Sequence, residues 1–186
     1  MFFTTALLAA LLPAVALGAP SPATVIQRDI IQLPDLGDGV FAVSLDANGK
    51  ANVTRLVDAS AIAARDNTIG APELGRRGIP ISNGGCMAIH DNHGNFDAAK
   101  DAFKDQCNNG VKIPGGNVLY SVRGNAIAYG CSWGGDNPCG ANEFDDFIGW
   151  AANKCGNYRG AWADMDSWKK QYGMHLKGES FCGHNL

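Results

Sequence analysis

The chain has 186 residues, 46% of them hydrophobic and 18% charged, with 15 Lys and Arg against 18 Asp and Glu and a net charge of −3. A nucleic-acid binder normally carries a concentrated basic face, and this balance argues against one. All six cysteines lie between Cys86 and Cys182, and every Trp and Tyr follows the dibasic pair Arg76-Arg77, so the working part of the chain is expected after that pair.

Residues 1–19 read as a secretory signal peptide. An apolar core from Ala6 to Leu17 leads into the small-residue stretch Ala16-Leu17-Gly18-Ala19, with cleavage expected near Gly18 or Ala19. The leader has no Lys or Arg before its apolar core. That core is too short to span a bilayer, and no later segment approaches 18 uninterrupted apolar residues, so the expected location is secreted and extracellular, without a membrane anchor.

Residues 20–77 read as a propeptide, cysteine-free and ending at Arg76-Arg77, where a kexin-type protease would cut before Gly78. Within it, Val40 to Leu45 alternates as a strand does, Asn48-Gly49 is a hairpin turn signal, and Asn52-Val53-Thr54 is an N-glycosylation sequon at Asn52. An isolated hairpin is marginal in water, so its order must draw on the rest of the chain, which it would shield or assist before release.

Residues 78–186 form the expected mature domain, with nine Lys and Arg against eleven Asp and Glu, a net of −2. An even cysteine count in a short exported domain predicts three disulfides among Cys86, Cys107, Cys131, Cys139, Cys155 and Cys182; six cysteines allow 15 pairings, and the sequence leaves the choice open. The absence of Cys-x-x-Cys argues against a zinc site or a redox motif.

The local pattern predicts an α+β domain. Asn95 is placed as the cap of a helix carrying Phe96, Ala99, Phe103 and Cys107 on one face and ending at Asn108-Asn109-Gly110. Asn117–Arg123 and Ala126–Trp133 read as strands joined tightly at Gly124-Asn125. A second helix is expected from Asn142 to Cys155, with Glu143, Asp145 and Asp146 in its first turn and Gly156 as terminator. Tyr158–Met165 and Met174–Phe181 read as short strands around a helical turn from Asp166 to Gly173, which would put Lys169-Lys170 on a solvated helix face. Two helices packed on one antiparallel sheet, stapled by bridges at the element edges, is the simplest arrangement. Cross-links, rather than a large apolar interior, are expected to hold this small disulfide-stabilised domain.

From Cys86 onward the order is a helix, Cys107, a strand ending in Asn-Ala-Ile-Ala-Tyr-Gly-Cys131, a Gly-rich loop with Cys139, a helix ending Asn-Lys-Cys155-Gly, the run Gly160 to Gly173 and a closing Glu-Ser-Phe-Cys182-Gly. This layout resembles the small secreted cysteine-rich proteins of ascomycete fungi, many of them candidate effectors. It is similar to necrosis-inducing-factor type effectors and to the killer toxins encoded by viruses of smut fungi. The resemblance covers roughly the last hundred residues. It implies maturation by a kexin-type protease and action outside the producing cell.

His90, His93, His175 and His184 are the candidates for acid or base work, and His90-Asp91-Asn92-His93 packs two imidazoles and a carboxylate into four residues. The stretch sits in a Gly/Asn/Asp-rich loop, where such residues serve turn chemistry. Asp145-Asp146 and Asp164/Asp166 read as structural acids, and an even cysteine count leaves no thiol for nucleophilic catalysis. No catalytic residue, metal or cofactor is assigned.

The aromatic residues carry the binding expectation instead. Trp133, beside Gly134-Gly135-Asp136-Asn137-Pro138, and Trp168 with Tyr172, flanking the lysine pair, are the candidate contacts, whereas Trp150 and Trp162 are expected to fill the core. The leading reading is a non-enzymatic effector or toxin that binds a host or microbial target: a protein, a wall polymer or a membrane. The alternative is a small secreted hydrolase, such as a ribonuclease, using the histidines.

Overall fold

Gly124 adopts a φ of 51°, a left-handed conformation that costs glycine little, and with Asn125 it turns the chain back on itself. The strands on either side pair in full antiparallel register, β5 (Asn117–Arg123) with β6 (Ala126–Ser132), from Asn117 opposite Ser132 to Arg123 opposite Ala126. Every residue of β6 is buried, so this hairpin is the centre of the sheet and not its margin.

The computed structural model describes residues 36–45, 51–58, 78–113, 115–179 and 182; the signal segment, Asn48-Gly49, Arg76-Arg77 and His184 lie outside them. The remaining strands are β1 (Gly39–Leu45), β2 (Ala51–Asp58), β3 (Asn83–His90), β4 (Lys112–Ile113), β7 (Asn137–Pro138), β8 (Arg159–Met165) and β9 (Lys170–Leu176). Seven of the nine form one sheet in the order β2-β1-β5-β6-β9-β8-β3, antiparallel throughout, and β4 pairs separately with β7. Two helices, α1 (His93–Asn108) and α2 (Ala141–Cys155), lie on this sheet, giving the α+β layout that the sequence predicts.

Helix α1 starts three residues before the expected position. The side chain of Asn92, not Asn95, accepts from the Gly94 amide at 2.8 Å, and Asn95 turns instead toward the tight loop at Gly124. Its far end is as expected, with Asn109 as cap and Gly110 at a φ of 76°. Helix α2 stops at Gly156, φ 93°, and buries Phe144, Phe147, Ala151 and Cys155. Because α2 begins at Ala141, Asp145 falls beyond its first turn, where its carboxylate pairs with Lys104 of α1 at 2.7 Å and ties the helices together.

The largest departure from the local reading follows Asp166. The helical turn is a single 3-10 turn, Asp166–Trp168, ended by Lys169 in the left-handed region (φ 52°, ψ 46°). Strand β9 then begins at Lys170, four residues earlier than expected, and pairs with β6 on one side and β8 on the other. Lys170 is therefore not on a solvated helix face: it is 2% exposed. Two ladders outweigh the local helical tendency of this run, the usual way tertiary pairing overrides propensity.

The alternation of each strand sorts side chains onto two faces. On the helix side, Phe103, Phe144, Phe147 and Tyr172 form one aromatic cluster, Phe103 and Phe144 with centroids 4.5 Å apart. On the opposite side Phe41, Val43, Val118, Tyr120, Val122, Ile127, Tyr129 and Cys131 form a second. The interior is thus more substantial than the sequence suggests, and the bridges supplement a core rather than replace one.

All six cysteines pair: Cys86 with Cys155, Cys107 with Cys139 and Cys131 with Cys182, at Cα separations of 5.4, 4.7 and 5.8 Å. Only the first joins a helix directly to the main sheet, α2 to β3. The second clamps α1 to the segment entering α2, and the third fastens the chain after β9 onto β6.

Three phenols are held neutral inside this fold. Burial raises Tyr129 and Tyr172 well above the usual tyrosine value, with Asp164 and Glu143 respectively adding to it, and burial pushes Tyr120 up to about 12 although Arg55 works against it. A raised folded-state value for an acid means that stability is intact below the unfolded value near 10 and falls as pH climbs above it, by about 1.4 kcal/mol per pH unit for each phenol. The expected result is alkaline unfolding that begins above about pH 10. An ultraviolet phenolate titration should show these three ionising only as the fold is lost; smooth ionisation of all tyrosines in the intact fold would contradict it.

Candidate functional site

The register between β6 and β9 sets Ser132 opposite Lys170, and that pairing brings two distant tryptophans to one rim. Trp133 leaves the end of β6 just where the turn carrying Trp168 and Lys169 enters β9, and the Trp133 amide donates to the Lys169 carbonyl at 3.1 Å. The glycine loop after Trp133 is tied down at several points. Ser132 Oγ donates to the Gly135 carbonyl at 2.9 Å, Asn137 Nδ2 donates to Ser132 Oγ at 2.7 Å, and β7 is laddered to β4. Lys169 lies so closely along Gly134 that a Cβ at that position would collide with its side chain.

Trp168 is 36% exposed, and among the described residues only Leu56, at 40%, is a comparably exposed large apolar side chain. Beneath it lies a buried cation. Lys170 Nζ sits 5.3 Å from the Trp168 ring centroid and the same distance from that of Tyr172. The ammonium donates to Glu143 Oε2 at 2.7 Å and to the Pro138 carbonyl at 2.6 Å, while Tyr172 Oη donates to the same Glu143 oxygen at 2.9 Å and accepts from the Gly140 amide at 3.3 Å. Cation, carboxylate and phenol thereby weld β9 to the start of α2 and set the height of the rim.

Of the three aromatic residues singled out for contact, Trp133, half-buried, and Trp168, exposed, lie on adjoining segments that the Trp133–Lys169 backbone bond joins. Tyr172 does not join them: it is fully buried, because strand alternation turns it inward to the helix-side core. Trp150 and Trp162, expected in the core, are half-buried beside β3, and Trp150 packs against the margin of the helix-side core through Phe147. Trp150 covers Gly84 and Trp162 covers Gly85, each occupying the space a side chain there would need.

The histidines are given separate tasks. His93, exposed at the start of α1, stacks on Tyr158 with centroids 3.7 Å apart, and Tyr158 Oη donates to Asp97 at 3.4 Å. His175 is buried on the opposite strand face, its Nε2 3.1 Å from Tyr129 Oη. The side chain of His90 lies outside the described residues. Among the described residues no group of three or more His, Cys, Asp or Glu side chains is arranged to hold a metal ion. Asp164 accepts from Gln171 Nε2 at 2.7 Å, and Gln171 Oε1 in turn accepts from the Cys182 amide at 3.2 Å, so this acid helps seat the closing disulfide.

The Lys170–Glu143–Tyr172 network was hidden by the helical reading of residues 166–173. A signal was present: Lys170-Gln171-Tyr172-Gly173-Met174-His175-Leu176 alternates in twos, with the bulky apolar Tyr172 and Met174 on one side. Comparison with known proteins finds no matching family model, no matching curated protein and no matching solved structure.

Proposed function

We propose that the chain is a secreted effector or toxin-like protein that acts by binding a host or competitor component outside the producing cell, with the rim of Trp133, Trp168 and Lys169 as its contact surface. The observation that carries this reading is Trp168: an exposed indole, fixed on a one-turn support above a buried ammonium. Exposing a Trp costs solvation, whereas a rigid one on a polar rim supplies the anchor that binding hot spots favour. The leader, the sequon and the dibasic pair support export and processing by a kexin-type protease, and three bridges are compatible with an extracellular life. No described helix is long and apolar enough to cross a membrane.

Trp168→Ala is expected to weaken target binding, or the response of treated plant tissue or microbial cultures, by at least about tenfold, the size of a modest hot spot. Its melting temperature should change by no more than about 4 °C, as for a surface substitution. Full activity in a folded Trp168→Ala protein would refute the assignment. The double change His90→Ala with His93→Ala serves as the contrast: it should leave that response intact, and loss of a measured phosphodiesterase activity in it would favour the hydrolase reading instead.

A further inference from the structure

The strands β1 and β2 come from the segment that the sequence marks for removal, yet they are built into the sheet. Strand β1 pairs with β5 from Gly39 opposite Val122 to Val43 opposite Val118, and β2 covers β1 on its outer side. Val40 is 0% exposed in the helix-side core, while Phe41 and Val43, each 1% exposed, belong to the cluster on the other face. Phe41 stacks on Tyr120 of β5 with centroids 5.1 Å apart, and the Arg55 guanidinium of β2 closes over Phe41 at 4.8 Å. Asp38 then fastens the hairpin to the β5–β6 turn, accepting from the Gly124 amide at 2.9 Å and lying 3.8 Å from Arg123.

The two strands that compete to be the sheet's margin differ in character. Natural edge strands are blunted with polar or charged residues, prolines or irregularities, because a bare edge recruits other chains. Strand β2 has that character: Asn52, Thr54, Arg55 and Asp58 are exposed, its ladder to β1 is broken by a register shift, and it carries the sequon. Strand β5 has little of it: Val118 to Arg123 are all buried, its polar Ser121 and Arg123 are engaged by the Ala99 carbonyl and by Asp38, and the strand is laddered to β1 on that side.

From this we infer that the hairpin β1–β2 is a permanent strand partner of β5, which stays in place after the chain is cut at Arg76-Arg77. The processed protein is then a two-chain particle, its smaller chain held without any covalent bond, since no cysteine precedes Cys86. This rests on the dibasic processing reading, and it changes what processing does: the cut frees a new amino terminus at Gly78 rather than shedding a cover.

The test is to digest the purified full-length secreted protein with a kexin-type protease and compare native and denaturing masses. The expected result is two fragments under denaturing conditions but one native species, with an elution volume and β-sheet signal unchanged from the uncut chain. The hairpin fragment should separate only in denaturant. Release of that fragment under native conditions, whether the remaining 78–186 chain stays folded or aggregates, overturns the inference. A second protein with a different site-specific protease sequence placed between residues 66 and 75 keeps the two readings apart. If the kexin-type enzyme leaves the chain whole, the processing reading fails, while the engineered cut still decides whether the hairpin is retained. In the cut protein, Val43→Asp should convert retention into release, because it puts a carboxylate into the buried Phe41–Val118 cluster; retention despite that change would also count against the inference.

Discussion

Reduction of the three disulfides is expected to unfold the chain at room temperature. Closing loops of 69, 51 and 32 residues restricts the unfolded chain by roughly 4 kcal/mol apiece on a loop-entropy estimate, about 12 kcal/mol together. Domains of this size are stable by only about 5–15 kcal/mol in all, so the bridges and the apolar core are both needed. The burial of Phe103, Phe144, Phe147 and Tyr172 keeps the reduced chain from becoming a random coil, but it leaves little net margin. Circular dichroism in dithiothreitol should show loss of the aromatic signal and a melting point tens of degrees lower. Pairwise replacement ranks the bridges: Cys86→Ala with Cys155→Ala is the most damaging of the three pairs, because it closes the longest loop and also unpins α2 from the edge strand β3. A reduced protein that melts within a few degrees of the oxidised one would show that the core alone suffices.

What the sequence revealed was local, and what it concealed was pairing between distant segments. The β5–β6 hairpin was readable because Gly124-Asn125 and the flanking apolar runs are contiguous. The C-terminal ends of both helices were readable, because Gly110 and Gly156 mark them chemically. Cysteine number showed that three bridges would form, but the choice among the possible pairings awaited the sheet order that sets β3 beside β8 and brings Cys86 to the end of α2. Residues 166–173 misled because Trp, Lys and Gln suit a helix locally, and only β6 and β8 on either side make β9 a strand. The same pairing brings the segments of Trp133 and Trp168, thirty-five positions apart, to one end of the sheet, so the candidate residues were legible singly and their adjacency in the fold was not. Val40 to Leu45 alternated visibly, yet nothing in that run pointed to β5 as its partner.

The network under the rim should be as sensitive to the loss of one charge as it is tolerant of the loss of both. Lys170 is 2% exposed, and its ammonium is compensated by Glu143, by the Pro138 carbonyl and by two aromatic faces. Removing the carboxylate in Glu143→Ala leaves a desolvated cation with one formal acceptor, a change that costs 3–5 kcal/mol in buried pairs. Because the Glu143 side chain retains 31% exposure, water can partly replace it, and the loss should fall near the lower limit, about 3 kcal/mol. For a folded unit of this size that corresponds to a melting point lowered by roughly 10 °C. The double change Lys170→Met with Glu143→Gln removes both charges, keeps the volume and preserves an acceptor for Tyr172 Oη, so most of that stability should return. The rim reports the same event independently. Trp168 rests on the Lys170 ammonium, and with that support disturbed in Glu143→Ala its indole emission should shift and target binding should weaken, both being restored in the double variant if packing, rather than the charge itself, holds the indole in place. A Glu143→Ala protein that melts within 3 °C of the parent would mean that Lys170 finds water or another carboxylate, and the rim would then owe its rigidity to the Trp133–Lys169 backbone bond and the ties of the glycine loop.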